Sequence, residues 1–150
     1  MNIFKAKALA IALIASIFAF ASCSDDDDDV APANVPELVK SAFEAKYPGA
    51  AAKWENDRGM MKAEFMIDGK NVEAWFNADG TWVMSETDYY GELPKAVTDY
   101  IKANYNGYAI EAGDTEWIET PTASYFRIEL EQPGKNDVTL NVKADGTLVK

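Results

Sequence analysis

The segment Asn77-Ala78-Asp79-Gly80-Thr81-Trp82-Val83 returns 66 residues later as Lys143-Ala144-Asp145-Gly146-Thr147-Leu148-Val149. A second echo lies upstream, where Val35-Pro36-Glu37-Leu38-Val39 matches Leu93-Pro94-Lys95-Ala96-Val97 at an offset of 58. The same offset relates Phe43 to Ile101, Ala45 to Ala103, Tyr47 to Tyr105 and Gly49 to Gly107. Trp54 and Trp117 also correspond, as do Gly69-Lys70-Asn71 and Gly134-Lys135-Asn136. Self-similarity of this kind comes before any single-element reading, because it sets how many units there are to build. It predicts two copies of one unit, residues 35–91 and 92–150, joined in a single globular domain. The offset grows from 58 to 66, so the second copy carries about eight extra residues between its helix and its last turn, mainly around residues 119–124 and Gln132.

Each copy opens on a helix. Pro36 and Pro94 suit the first helical position, where a missing N–H costs nothing. Val35, Val39, Ala42, Phe43, Lys46 and Tyr47 fall on one stripe at helical spacing. Leu93, Val97, Tyr100, Ile101, Asn104 and Tyr105 repeat that stripe, and Pro48-Gly49 and Asn106-Gly107 stop the two helices. Four alternating runs follow in the first copy, divided by Asn56-Asp57-Arg58-Gly59, Asp68-Gly69-Lys70-Asn71 and Ala78-Asp79-Gly80-Thr81. The second copy repeats the order through Thr120-Pro121-Thr122. The expected fold is α+β: a tandem α-β-β-β-β unit whose meanders join into one antiparallel sheet. Both helices pack on one face of it and the opposite face stays open.

Period-2 alternation sorts the strand residues by face. Val138, Leu140 and Val142 point toward the helices, and Val72, Ala74 and Phe76 do so in the first copy. Glu73, Trp75 and Asn77 then face outward. With Asp79-Gly80 as a two-residue loop, Phe76 pairs with Val83, Asn77 with Trp82 and Trp75 with Met84. The preceding turn sets Glu64 beside Trp75 and Met66 beside Glu73. Trp75, Trp82, Met84 and Met66, ringed by Glu64, Glu73 and Lys62, form the candidate binding face. Large aromatics on a solvated sheet face serve an interface or pack on one another, and both readings stay open here. Trp54 and Trp117 have inward parity and belong to the core.

Residues 1–22 read as a lipoprotein signal peptide. Lys5 and Lys7 precede an apolar run of 14 residues, 8–21 (ALAIALIASIFAFA). That run is shorter than the roughly 20 residues needed to span a bilayer. Phe20-Ala21-Ser22 leads directly into Cys23, the expected lipidation site and new N-terminus. Residues 23–34 then form an acidic tether, with Asp25 through Asp29 repelling one another and staying extended and solvated. The expected location is the outer membrane, at the cell surface or on the periplasmic face, with the membrane touched only through the lipid.

Composition removes several function classes. The chain has 14 Lys+Arg against 25 Asp+Glu, no His and one Cys, for a charge of −11. Loss of residues 1–22 takes away two lysines and no acid, making the charge −13. Without His there is no Ser-His-Asp or Cys-His catalysis and no His-ligated zinc. One Cys makes no internal disulfide. A pI near 4.4 argues against nucleic acid, whose phosphates need a basic face. Glu64 with Glu73 is the nearest candidate for a carboxylate acid/base pair, and no phosphate-cradling glycine loop or serine-nucleophile spacing accompanies it. A calcium loop at Asn77 through Thr81 fails on its twin, which has Lys143 in place of Asn77. The expectation is a protein that is not an enzyme, with no cofactor and no metal. It binds a protein partner on its open face or, alternatively, a small ligand such as a glycan, peptide or cation.

The doubled pattern also has a family likeness. Leu/Val-Pro opening a helix, an aromatic near its end before Pro-Gly or Asn-Gly, and strands closed by Ala-Asp-Gly-Thr resemble the PepSY-like, beta-lactamase-inhibitor-like family of bacterial secreted and lipid-anchored proteins. The resemblance spans residues 35–150. It implies a concave sheet backed by helices and a protein partner gripped on that concave aromatic face, as an inhibitor or a regulator of peptidases. It places Trp75, Trp82 and Met84 of the first copy, and Tyr125 or Arg127 of the second, on that face. Leu148 stands where the first copy has Trp82 and Asn141 where it has Trp75, so the aromatic surface is lopsided.

Overall fold

The computed structural model describes residues 27–149. The expected signal peptide, Cys23 and the start of the acidic tether lie outside the described residues. Eight strands and two helices follow one another: β1 (Asp27–Asp29), α1 (Glu37–Lys46), β2 (Lys53–Asp57), β3 (Met60–Ile67), β4 (Lys70–Phe76), β5 (Trp82–Asp88), α2 (Lys95–Asn104), β6 (Ala109–Glu119), β7 (Ser124–Glu131) and β8 (Val138–Val142). The strands form one antiparallel sheet in chain order, β1 through β8, so the fold is α+β.

Three expectations about the elements are corrected. Asp27–Asp29 of the acidic run is a sheet strand paired with β2, where a solvated tether was expected. The pairing is held at its end by Val30, whose N–H donates to the Trp54 carbonyl at 2.8 Å, and by an ion pair of 3.0 Å from Lys53 to Asp29. Pro36 and Pro94 occupy the N-cap, one residue before the expected position, with ψ of 138° and 143°. The N-cap residue is not yet helical while its carbonyl already accepts, and Lys40 N–H donates to Pro36 O at 3.1 Å. The expected last strand of the second half is a single bridge between Val142 and Leu148, supported by Val149 N–H donating to Asn141 O.

The apolar members of the helix stripes turn to the core, while Lys46 and Asn104 stay exposed. Val35, Val39 and Phe43 join Trp54, Ala63, Phe65, Val72, Ala74 and Phe76 in one core cluster. Val97 and Ile101 join Phe126, Ile128, Leu130, Leu140 and Val142 in another, with Trp117 packed against it. Phe43 is the centre of the first, its ring edge-on to Trp54 at 5.2 Å and to Phe65 at 5.0 Å. Truncation of such a phenylalanine to alanine costs about 3–5 kcal/mol.

Two turns decide which side chains reach which face. Between β3 and β4, Asp68 and Gly69 both have positive φ, 51° and 77°, which makes a two-residue loop with Ile67 opposite Lys70. Lys62 therefore lies opposite Trp75, Glu64 opposite Glu73 and Met66 opposite Asn71, two residues from the expected register. An even shift leaves every side chain on its own face.

The next turn has the opposite consequence. Asn77 N–H donates to Thr81 O at 2.9 Å and Gly80 N–H to Asn77 O at 2.9 Å, a three-residue loop closed by Gly80 at φ 85°. Asn77 thus pairs with Thr81, and Trp82 comes opposite Phe76. A bulge at Val83 restores the pairing of Trp75 with Met84. This one-residue difference turns Trp82 to the core side, which corrects its expected place on the open face. It packs against the α1 cluster, under the Lys46 ammonium 3.7 Å from its ring centroid.

Candidate functional site

Strand residues that alternate with the core set share the opposite face of the sheet. One row runs from Glu55 of β2 through Lys62 and Trp75 to Met84. The next runs from Lys53 through Glu64, Glu73 and Glu86 to Ile118 and Tyr125. A third includes Asp88, Glu116, Arg127 and Asn141. Three carboxylates, Glu64, Glu73 and Glu86, stand directly opposite one another on three successive strands. Like charges so placed are destabilising unless cations intervene.

Two cations do. Lys62, with its side chain 9% exposed, lies 2.8 Å from Glu55, 3.2 Å from Glu64 and 3.9 Å from Glu73. Arg127, 30% exposed, pairs with Glu86 and, at 3.1 Å, with Glu116. Burial works against the charged form of Lys62, but Glu55, Glu73 and Glu64 together hold its pKa above the ordinary lysine value. Glu55 is held below the carboxylate range by Lys53 and Lys62. Glu73 has the weakest cation contact of the three. Burial pushes it up to about 7, with Lys62 opposing and Glu64 and Glu86 adding to the rise. Glu116 is raised too, by burial first and then by Glu86, against the pull of Arg127.

The sequence-derived residues divide accordingly. Trp75, Met84, Met66, Glu64, Glu73, Tyr125 and Arg127 share the open face, while Trp82 does not. Trp75 is only 8% exposed, and its indole Nε1–H donates to Asp57 at 2.6 Å. Met66 is open to solvent beside the β3–β4 turn. Sequence reasoning missed Glu86, Glu116 and Ile118. Ile118 is completely buried although it lies on the outward face, opposite Tyr125. Its signal was available only through the β5–β6 pairing, which crosses a helix in the chain. The face therefore combines carboxylates knotted by Lys62 and Arg127 with Trp75, Met84, Met66 and Tyr125, and without Trp82.

No curated protein matches the chain. The profile of the family described as "Putative beta-lactamase-inhibitor-like, PepSY-like" matches residues 59–150. Among solved structures, a DUF2874 family protein from Bacteroides uniformis is 25% identical over 77% of this chain and 86% of its own, with a TM-score of 0.68. A protein from Bacteroides eggerthii described among "putative periplasmic proteins" is 24% identical over 77% and 86%, with a TM-score of 0.67. A BLIP-like protein from Bacteroides fragilis is 30% identical over 77% and 84%, with a TM-score of 0.66. With more than half of its length matched by the profile and its sheet shared with these structures, the chain belongs to the PepSY-like, beta-lactamase-inhibitor-like family.

Proposed function

We propose that the chain is a non-catalytic binding module of the cell envelope, lipid-anchored through Cys23, that holds a protein partner on the open face of its sheet. The observation that carries this reading is the charged row in which Glu64, Glu73 and Glu86 stand opposite one another on β3 to β5 and outnumber the cations between them, with Glu116 and Arg127 extending the charge onto β6 and β7. The family adds support, since its description is inhibitor-like and the B. fragilis relative is described as BLIP-like. The leader supports an envelope location, in line with the description of the B. eggerthii relative.

The same reading includes two copies of one unit with both helices on one face. In each half the Ala-Asp-Gly-Thr turn lies against the first turn of its helix. A Cβ on Gly80 would sit 2.7 Å from the Leu38 carbonyl oxygen, and one on Gly146 would sit 3.0 Å from that of Ala96. Leu38 and Ala96 are themselves partners at the offset of 58. The pairing sequence Val72, Thr87, Trp117, Phe126, Val142 crosses the sheet on a single side and meets both helix clusters.

Affinity capture from the envelope of the producing cell tests the proposal, comparing the wild-type chain with Glu64→Gln/Met66→Ala. Both changes fall on the open face and leave the core untouched. A partner retained by wild type and lost by the variant at equal thermal stability supports the reading. Equal capture by both chains overturns it.

A further inference from the structure

We infer that a second site, a cavity at the N-terminal end of α2, receives the arginine side chain of a protein partner. The cavity has a volume of about 570 Å³ and is lined by Tyr89, Tyr90, Glu92, Ile110, Glu111 and Thr115 among others. Ligand pockets run from roughly 300 to 1,000 Å³. Ile110 and Thr115 pair with Leu130 and Ile128 of the core set, so this wall lies on the side of the sheet away from Glu64, Glu73 and Glu86, and the site does not rest on the reading given for that row.

Its walls come from two irregular segments. The β6 ladder breaks between Ile110 and Thr115, leaving Glu111 and Gly113 at the rim. Strand β2 pairs without any such break, so the cavity is a property of the second half alone. Opposite lies the strap that joins β5 to α2. Tyr89 hydroxyl donates to the Glu92 carbonyl at 2.9 Å, and a Cβ on Gly91 would fall 2.8 Å from that hydroxyl oxygen. The strap is therefore closed around the Tyr89 ring, with glycine as the residue that leaves room for it.

Apolar exposure and negative charge coincide here. Tyr90 and Ile110, 68% and 38% exposed, are large hydrophobic side chains left open to solvent on the two walls. Tyr90 hydroxyl donates to Asp88 at 2.8 Å, which anchors the ring at the mouth. Glu111 is held above the ordinary carboxylate range by Asp114 first, then by burial and by Glu131, Asp137 and Glu129. A ligand suited to this combination is a cation with a flat apolar surface. Guanidinium fits, because it stacks on tyrosine and pairs with a carboxylate as a planar fork. A lysine ammonium is compact and more strongly hydrated, and gains less from the ring.

The test is an NMR titration of the isotopically labelled chain with N-acetyl-arginine amide, run beside the corresponding lysine and leucine amides and free arginine. The expected result is saturable shifts at the amides of Tyr90, Gly91, Glu111 and Gly113, with arginine amide the tightest of the four. Free arginine, whose own carboxylate enters the acidic cavity, binds more weakly. Glu111→Gln and Tyr90→Ala each weaken arginine-amide binding by about threefold to tenfold, while shifts elsewhere show an intact fold. No saturable shift, equal binding of leucine amide or lysine amide, tighter binding of free arginine, or shifts gathered at Glu64, Glu73 and Glu86 each overturn the proposal.

Discussion

The two halves of the molecule carry the same turn and different knots. Around Gly80 and Gly146 the hydrogen bonds agree to within about 0.1 Å: Asn77 to Thr81 at 2.9 Å against Lys143 to Thr147 at 2.8 Å, with Asp79 and Asp145 each accepting the amide two residues on at 2.9 Å. On the open face the halves diverge. Lys62 is enclosed by three carboxylates from β2, β3 and β4, whereas Arg127 is more exposed, 30% against 9%, and holds two. Local backbone chemistry repeats, and the surface built upon it does not. That pattern is expected when a turn is fixed by a few residues in sequence while a face is assembled from many strands.

The largest contrast should come from removing the cations. Lys62→Met leaves Glu55, whose side chain is 9% exposed, with Lys53 at 2.7 Å as its remaining cation and takes the ammonium from between Glu64 and Glu73; loss of one partner of a buried ion pair costs about 3 kcal/mol. Arg127→Met leaves Glu86 and Glu116 nearer to water, and the expected loss is about 1 kcal/mol. Urea midpoints of the two variants decide the matter. Equal losses would mean that the knots are equivalent and that burial does not separate the halves.

Next come the turns, where the halves ought to behave alike but not identically. Both glycines have left-handed φ, and the new Cβ meets a helix carbonyl at 2.7 Å beside Gly80 but at 3.0 Å beside Gly146. Backbone cannot swing away as a flexible side chain does. Gly80→Ala is expected to cost about 2 kcal/mol and Gly146→Ala about 1 kcal/mol, read as melting temperatures. The reverse order would place the tighter helix–turn contact in the second half.

Trp75 and Asn141 then test what the open face has in place of symmetry. Trp75→Phe keeps the apolar body and loses the indole bond to Asp57, a loss of about 1 kcal/mol. Asn141 Oδ1 is buried without a hydrogen-bond partner among the described residues, so Asn141→Leu should leave stability unchanged or raise it. A destabilised Asn141→Leu would show that its amide is satisfied in solution.

These contrasts also show what could be read from the sequence. The helix stripes through Val39 and Phe43 or Val97 and Ile101, and the inward parity of Val72, Ala74 and Phe76, were legible, because spacing alone fixes them. Trp82 was misplaced because Ala-Asp-Gly-Thr supports loops of two or three residues, and a difference of one residue reverses the face. Lys62 could be placed near Glu64 and Glu73, yet its third partner Glu55 depends on the β2–β3 register. The pairing of Arg127 with Glu86 joins residues 41 apart across three strands, and no local pattern carries it. Nor did periodicity announce the cavity beside Tyr90, since it arises where the β6 ladder breaks.

The finest distinction between the halves lies in protonation. Glu73 faces Lys62 and Glu64 from β3 and Glu86 from β5, and its folded pKa of about 7 stands above the ordinary 4.5. The folded chain therefore holds this proton more tightly than the unfolded chain does. Stability associated with it is fully present below about pH 4.5 and is lost as pH rises toward 7. Glu55, whose pKa is lowered, works the other way and only at more acidic pH. Between pH 5 and roughly 7.5, unfolding free energy should thus fall with pH in the wild type and fall less steeply in Glu73→Gln, which mimics the protonated form. Glu116→Gln removes a smaller share of the slope, because Arg127 already opposes the rise at that carboxylate. Denaturation across this range measures all three chains. An unchanged slope in Glu73→Gln would show that Glu73 is not the group whose proton the folded chain holds.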